Sequence, residues 1–176
     1  MTGRQGRKPN WIEWLSLAGI AIAVLLLTVG YAWSAWWVLT PGIVVLGALW
    51  ALQQQRGRTW ASSAGLVFAV ITGAAGFLAG VGAGWLLAGV VAALSAWDLD
   101  QFAQRLREVG QVPGRPEMER RHVWRLALAA AIGLLLGLTA LQVQVRFTFF
   151  AALLLAALVA LGVGELIVYL RRGREG

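Results

Sequence analysis

The sequence has no cysteine, a single histidine, and only 15 basic and 8 acidic residues among 176. Without cysteine the chain can form no disulfide, no thiolate nucleophile and no cysteine-ligated metal site. His122 stands between Arg121 and Val123, with no second histidine to share a metal ion. We therefore interpret His122 as structural and expect neither a metal nor a cofactor.

Charge is also scarce by the standard of soluble domains, of which about a quarter of the residues are charged. Here 13% are charged, 59% are hydrophobic and the mean hydropathy is +0.71. The charge-free runs are residues 14–55, 59–97, 126–145 and 147–164. A membrane-spanning helix needs roughly 20 apolar residues, so the first two runs are each long enough for two spans and the last two for one each.

The predicted spans are residues 12–32, 36–54, 60–79, 83–99, 122–142 and 148–170. Thr40-Pro41-Gly42 is typical of a helix start, and the glycines of residues 80–84 favour a tight turn between spans three and four. Unpaired backbone groups are too costly in lipid for any other structure. The predicted fold class is an all-α integral membrane protein, a single transmembrane domain over residues 1–176 that forms a six-helix bundle.

The basic residues predict the orientation of this bundle. In a six-span arrangement every one of them except Arg146 lies on the same side of the membrane. The positive-inside rule then places both termini in the cytoplasm of a prokaryotic-type cell, with the bundle in the cytoplasmic membrane. The net charge of +7 follows one membrane face, which favours contact with anionic lipid and argues against a nucleic-acid partner.

The N-terminus leaves one alternative open. A basic start, an apolar run over residues 17–30 and the small residues near Ser34 resemble a secretory signal peptide. The bulky Trp33, Trp36 and Trp37 fit an anchored first span better than a cleavage site.

Residues 98–121 hold much of the charge and are predicted to form a cytoplasmic elbow between helices four and five. The apolar side chains of its first half recur at helical spacing: Leu99, Phe102, Leu106 and Val109. Asp100 and Gln104 are expected on the opposite, polar face, and the helix is expected to lie along the inner membrane surface. The elbow is a topology-setting loop or a docking surface for a protein partner. The candidate docking residues are Phe102, Leu106, Arg105, Arg107, Arg120 and Arg121.

Two acidic residues, Glu13 and Glu165, fall inside predicted spans near the cytoplasmic end. If consecutive helices reverse near Ala35 and Val145, Glu13 lies at the same depth in the membrane as Arg56 and Arg58. By the same count, Glu165 lies at the same depth as Arg125. A buried charge needs a counter-charge. We therefore expect structural ion pairs at these positions in preference to proton relays.

A catalytic constellation is not evident in the sequence. Ser62 and Ser63 begin span three beside Trp60 and are interpreted as helix caps. Asp98 and Asp100 do not match the longer aspartate signature of membrane phosphotransferases. Rows of small residues predict close helix packing, including Ala61, Gly65, Ala69 and Gly73 on span three and Ala129, Gly133 and Gly137 on span five. The chain is not expected to be an enzyme.

Two functions remain as expectations. The first is a non-catalytic scaffold or accessory subunit of a membrane complex. The alternative is a small-solute transporter component, because the predicted size and topology resemble those of the substrate-binding membrane subunits of energy-coupling-factor transporters. That family carries an A-x-x-x-A pattern on its first helix, where this chain has Gly19-x-x-x-Ala23, and it has a polar outer loop that this chain lacks.

The predicted topology can be tested on the cysteine-free background. Single cysteines at Gln5, Gln111 and Gly173 should resist a membrane-impermeant thiol reagent in intact cells, because these positions are cytoplasmic. A cysteine at Gln144, beside the outer turn, should react. Labelling of position 111 from outside the cell would contradict the six-span arrangement.

Overall fold

The computed structural model describes residues 11–109 and 115–142. Within these ranges the chain is helical and contains no strand. The elements are α1 (Trp11–Trp33), a short 3-10 turn (Trp37–Leu39), α2 (Thr40–Gln55), α3 (Thr59–Leu78), α4 (Ala83–Val109) and α5 (Arg115–Gln142).

The five helices correspond to the first five predicted spans. Each is long and apolar enough to cross a membrane, which is compatible with a multi-pass membrane protein. The sixth predicted span, residues 148–170, lies outside the described residues.

The predicted turn residues take the conformations expected of them. Thr40 begins α2, its hydroxyl donates a hydrogen bond to the carbonyl oxygen of Trp37 (2.7 Å), and Pro41 follows in the first turn. Between α3 and α4, Gly80 has φ +79°, and Gly57, a turn residue that was not predicted, has φ +73° between α2 and α3. These left-handed conformations favour glycine, so both reversals are encoded locally.

Helices α1 to α4 pack around a shared apolar core, and α5 packs against α4. α1 lies against α4 along most of its length, while α2 contacts α1 and α3, and α3 also contacts α4. The core residues are Ile20, Ala23, Leu27, Tyr31, Ile43, Trp50, Ala69, Val81, Leu86, Ala93 and Ala96. The two longest helices, α4 and α5, pack against each other, and the first residues of α1 also contact α5.

The predicted elbow is not a separate element. Residues 98–109 continue α4 without a break, residues 115–121 begin α5, and residues 110–114 lie outside the described residues. Leu99 and Leu106 are buried in a second cluster with Ile12 of α1. The apolar face of this part of the helix packs against α1 and α5, so it faces the bundle.

Small residues allow the close helix contacts that their spacing predicts on α3. Ala61 and Ala69 are buried, and Gly65 lies directly beneath the indole ring of Trp50, where a Cβ would overlap the ring. On α5 the same expectation holds for Gly137, beside Leu87, but not for Gly133. A Cβ built on Gly133 meets no described atom within 4 Å.

Gly65 and Gly133 provide a matched test of this packing. Gly65→Ala should lower the free energy of unfolding in detergent by about 1–3 kcal/mol, because Trp50 is 6% exposed and has little room to move. Gly133→Ala should leave stability unchanged or raise it by up to about 1 kcal/mol, since alanine favours helix. Thermal unfolding of both variants measures the difference. Equal effects would contradict the close contact between α2 and α3.

Candidate functional site

A buried carboxylate, Asp100 of α4, lies at the centre of the polar contacts of the bundle. The residue is 3% exposed. The Ser62 hydroxyl of α3 donates to Oδ2, Gln104 Nε2 donates to the same oxygen (2.6 Å), and Gln54 Nε2 of α2 donates to Oδ1 (3.0 Å). One carboxylate therefore connects α2, α3 and α4.

Further contacts extend from this carboxylate to α1. Gln54 Nε2 also donates to the Ser16 hydroxyl (2.8 Å), which in turn donates to the backbone oxygen of Ala96 (2.8 Å). One helical turn before Ser16, the Glu13 carboxylate accepts from the Arg107 guanidinium (2.7 Å). We call these residues the polar layer: Glu13, Ser16, Gln54, Ser62, Asp100, Gln104 and Arg107.

Two polar contacts attach α5 at the same end of the bundle. Trp11 Nε1 donates to Glu119 Oε2 (2.5 Å). His122 Nε2 lies 2.8 Å from Asp98 Oδ2, and the imidazole stacks on the Phe102 ring with centroids 4.0 Å apart. His122 thus has a packing and hydrogen-bonding role between α4 and α5, as its isolation in the sequence indicates.

A cavity of about 360 Å³ opens beside the polar layer, between α1, α2 and α4. We call it the polar cavity. It is lined by Glu13, Trp14, Leu17, Gln54, Gln55, Asp100 and Arg107. Gln54 Oε1 is buried and has no hydrogen-bond partner among the described residues. The oxygen is buried behind the wall of the cavity, and the acceptors that line the cavity are the carboxylates of Glu13 and Asp100.

The ion pair at Glu13 forms with a different arginine from those named by the sequence. Arg107 of α4 is the partner, and neither Arg56 nor Arg58 makes this contact. The reason is that α1 packs along α4, whereas both predicted partners follow α2. Arg125 is exposed on α5, and its predicted partner Glu165 lies outside the described residues.

The six candidate docking residues separate into two groups. Leu106 is buried, Phe102 stacks on His122, and Arg107 is exposed but binds Glu13, so these three make contacts within the bundle. Arg105, Arg120 and Arg121 are exposed at the same end.

Sequence reasoning missed Asp100 and its donors as a site. Asp100 is not on a solvated face, and Ser62 does not cap α3, because its hydroxyl contacts α4. The signal that could have found Asp100 is its spacing from Ala93, Ala96 and Ala103, all of which are buried on one face of α4. A polar residue on a small-residue face indicates an internal contact.

The chemistry available to this layer is binding and orientation of charge. Ser62 is fully buried, so a substrate cannot reach its hydroxyl, which donates to the Asp100 carboxylate. Among the described residues, no group of three or more carboxylate or imidazole side chains is placed to hold a metal. The carboxylates of Asp100 and Glu13 line the cavity and can accept hydrogen bonds from a cation or another donor.

Asp100 should contribute far more to stability than a surface carboxylate. Asp100→Ala leaves three donors without an acceptor, and each unsatisfied buried group costs about 1–3 kcal/mol. Glu117→Ala removes only the exposed pair with Arg121 (3.4 Å), worth about 0.3–0.5 kcal/mol. Thermal unfolding of the two variants in the same detergent compares them. A similar small loss for both would show that Asp100 does not hold the bundle together.

Comparison with known proteins adds no family to these observations. No family model matches the chain, and neither a curated protein nor a solved structure matches it. A function can therefore be inferred only from the polar layer, the polar cavity and the exposed arginines.

Proposed function

We propose that this chain is a non-catalytic scaffold or accessory subunit of a complex in the cytoplasmic membrane. In this proposal the chain crosses the membrane six times, and both termini and the connection between α4 and α5 lie in the cytoplasm. The observation that carries it is that polar contacts join all five described helices at the arginine-rich end. A partner would meet a surface with a fixed arrangement of charges.

The contacts explain why this end should be rigid. Asp100 is satisfied by donors from α2, α3 and α4, and the cost of losing any one of them opposes separation of these helices. Trp11 and His122 fix the start of α5 against α1 and α4. A rigid surface loses less conformational entropy on binding than a mobile loop.

The exposed arginines indicate the chemistry of the partner. Arg105, Arg120 and Arg121 are exposed at the rigid end, and guanidinium groups pair well with carboxylates and phosphates. An acidic cytoplasmic segment of a membrane complex matches this surface. Anionic lipid headgroups provide the same charge and would cover the part that the protein partner leaves free.

Purification from native membranes in lipid-preserving particles tests the proposal. We expect the intact chain to elute with one partner at fixed stoichiometry. Arg120→Ala with Arg121→Ala should release that partner, while Arg56→Ala with Arg58→Ala, which removes the same charge beside a different turn, should retain it. Elution of the chain without a stoichiometric partner, or equal loss in both double variants, would contradict the proposal.

A small-solute transporter component is the second candidate, and the polar cavity favours it. A cavity of about 360 Å³ with Asp100, Gln54 and Arg107 in its walls is in the size range of small-molecule sites. Native mass spectrometry of the purified chain should then show a bound water-soluble molecule. Gln54→Leu should abolish that binding.

A further inference from the structure

An apolar groove runs along the outer side of α1 and α2. It has a volume of about 600 Å³. Its walls are Trp14, Leu17, Ile20, Ala21, Val24, Leu25, Thr28 and Val29 of α1, and Val44, Gly47, Ala48, Ala51 and Gln55 of α2. From Trp14 to Val29 it extends about 22 Å at 1.5 Å per residue, which exceeds half of a hydrocarbon core about 30 Å thick.

The groove and the polar cavity share part of their walls. Trp14, Leu17 and Gln55 line both. The apolar groove is therefore adjacent, at the arginine-rich end, to a polar compartment, and Trp14 lines both. Tryptophan favours the boundary between lipid headgroups and acyl chains. A long apolar groove beside a compact polar cavity fits an amphiphile.

The charges of the polar cavity define the headgroup. Glu13 and Asp100 carry two negative charges and Arg107 carries one positive charge, so the formal balance of the walls is negative. Asp100 Oδ1 accepts a single hydrogen bond among the described residues, from Gln54. Two carboxylates in one negatively charged compartment fit a cation that carries N–H donors.

Arg107 supplies the complementary half of the recognition. Its guanidinium has five N–H donors, and its contact with Glu13 is made through one terminal nitrogen. Arg107 lies two helical turns from Asp100 on α4, and both side chains line the cavity. A guanidinium with free donors binds a phosphate oxygen well.

We propose that the groove and the polar cavity together bind one zwitterionic phospholipid with a primary ammonium headgroup. The ammonium pairs with the carboxylates of Asp100 and Glu13, the phosphate accepts from Arg107, and one acyl chain lies in the groove between α1 and α2. This site goes beyond the proposed scaffold function, which does not depend on it.

Native mass spectrometry of the full chain in mixed micelles tests the headgroup. The probes are phosphatidylethanolamine, its N-methylated and N,N-dimethylated forms, phosphatidylcholine and phosphatidylglycerol, all with identical acyl chains and at equal concentration. Retention should fall with each methyl group and be about tenfold lower or less for phosphatidylcholine, because charge-assisted hydrogen bonds are lost. Equal retention of phosphatidylethanolamine and phosphatidylcholine, or preference for phosphatidylglycerol, would overturn the proposal.

A matched pair of variants on α2 tests the groove. Val44 lines it, whereas Val45 is exposed outside it. Val44→Trp should abolish retention of phosphatidylethanolamine, and Val45→Trp should keep it. Ala48→Phe, one turn from Val44 in the same groove, should repeat the loss and replaces Val44→Trp if that variant does not fold. Equal retention in groove and control variants would overturn the acyl-chain site.

Discussion

The described bundle depends on how one buried carboxylate is satisfied by hydrogen-bond donors from the helices around it. Asp100 is 3% exposed, and an unpaired charge at such a position would be too costly to keep. Ser62, Gln54 and Gln104 therefore donate to it, and Ser62 and Gln54 come from neighbouring helices. The registers of α2 and α3 against α4 follow from these two contacts, since a shift by one residue would turn Ser62 or Gln54 away.

The helices themselves could be predicted because charge and turn residues act locally. Charge-free runs place α1 to α3 and α5, and Thr40 and Gly80 mark where α2 begins and where α3 and α4 reverse. The helical continuation of α4 through residues 99–109 was predicted too, but its polar contacts were not. Asp98, Asp100 and Arg107 each have a partner within the bundle: His122, the donors to Asp100, and Glu13 respectively.

The polar layer could not be predicted by counting residues from each turn, because that method relates only helices that are consecutive in the chain. It predicted that Glu13 pairs with arginines that follow α2, but the main neighbour of α1 is α4. That non-consecutive contact is a tertiary property, decided by how small residues such as Ala93 and Ala96 let the two backbones approach. The hydrogen bond between Ser62 and Asp100, which are 38 residues apart, could not be predicted for the same reason: it depends on tertiary packing.

The contact between α1 and α2 explains why the groove between them stays open although polar contacts hold the helices together at the arginine-rich end. Gly47 lies against the Val24 side chain, where a Cβ would overlap it, so the two helices are in direct contact at the floor of the groove and cannot move closer. In water an apolar groove of this size would favour collapse or burial. In a bilayer acyl chains fill it at little cost, because lipid is as apolar as the residues that line it. Acyl chains of any lipid can then fill the groove. Only its polar end, which Asp100, Gln54 and Arg107 line, has groups that can distinguish one lipid headgroup from another.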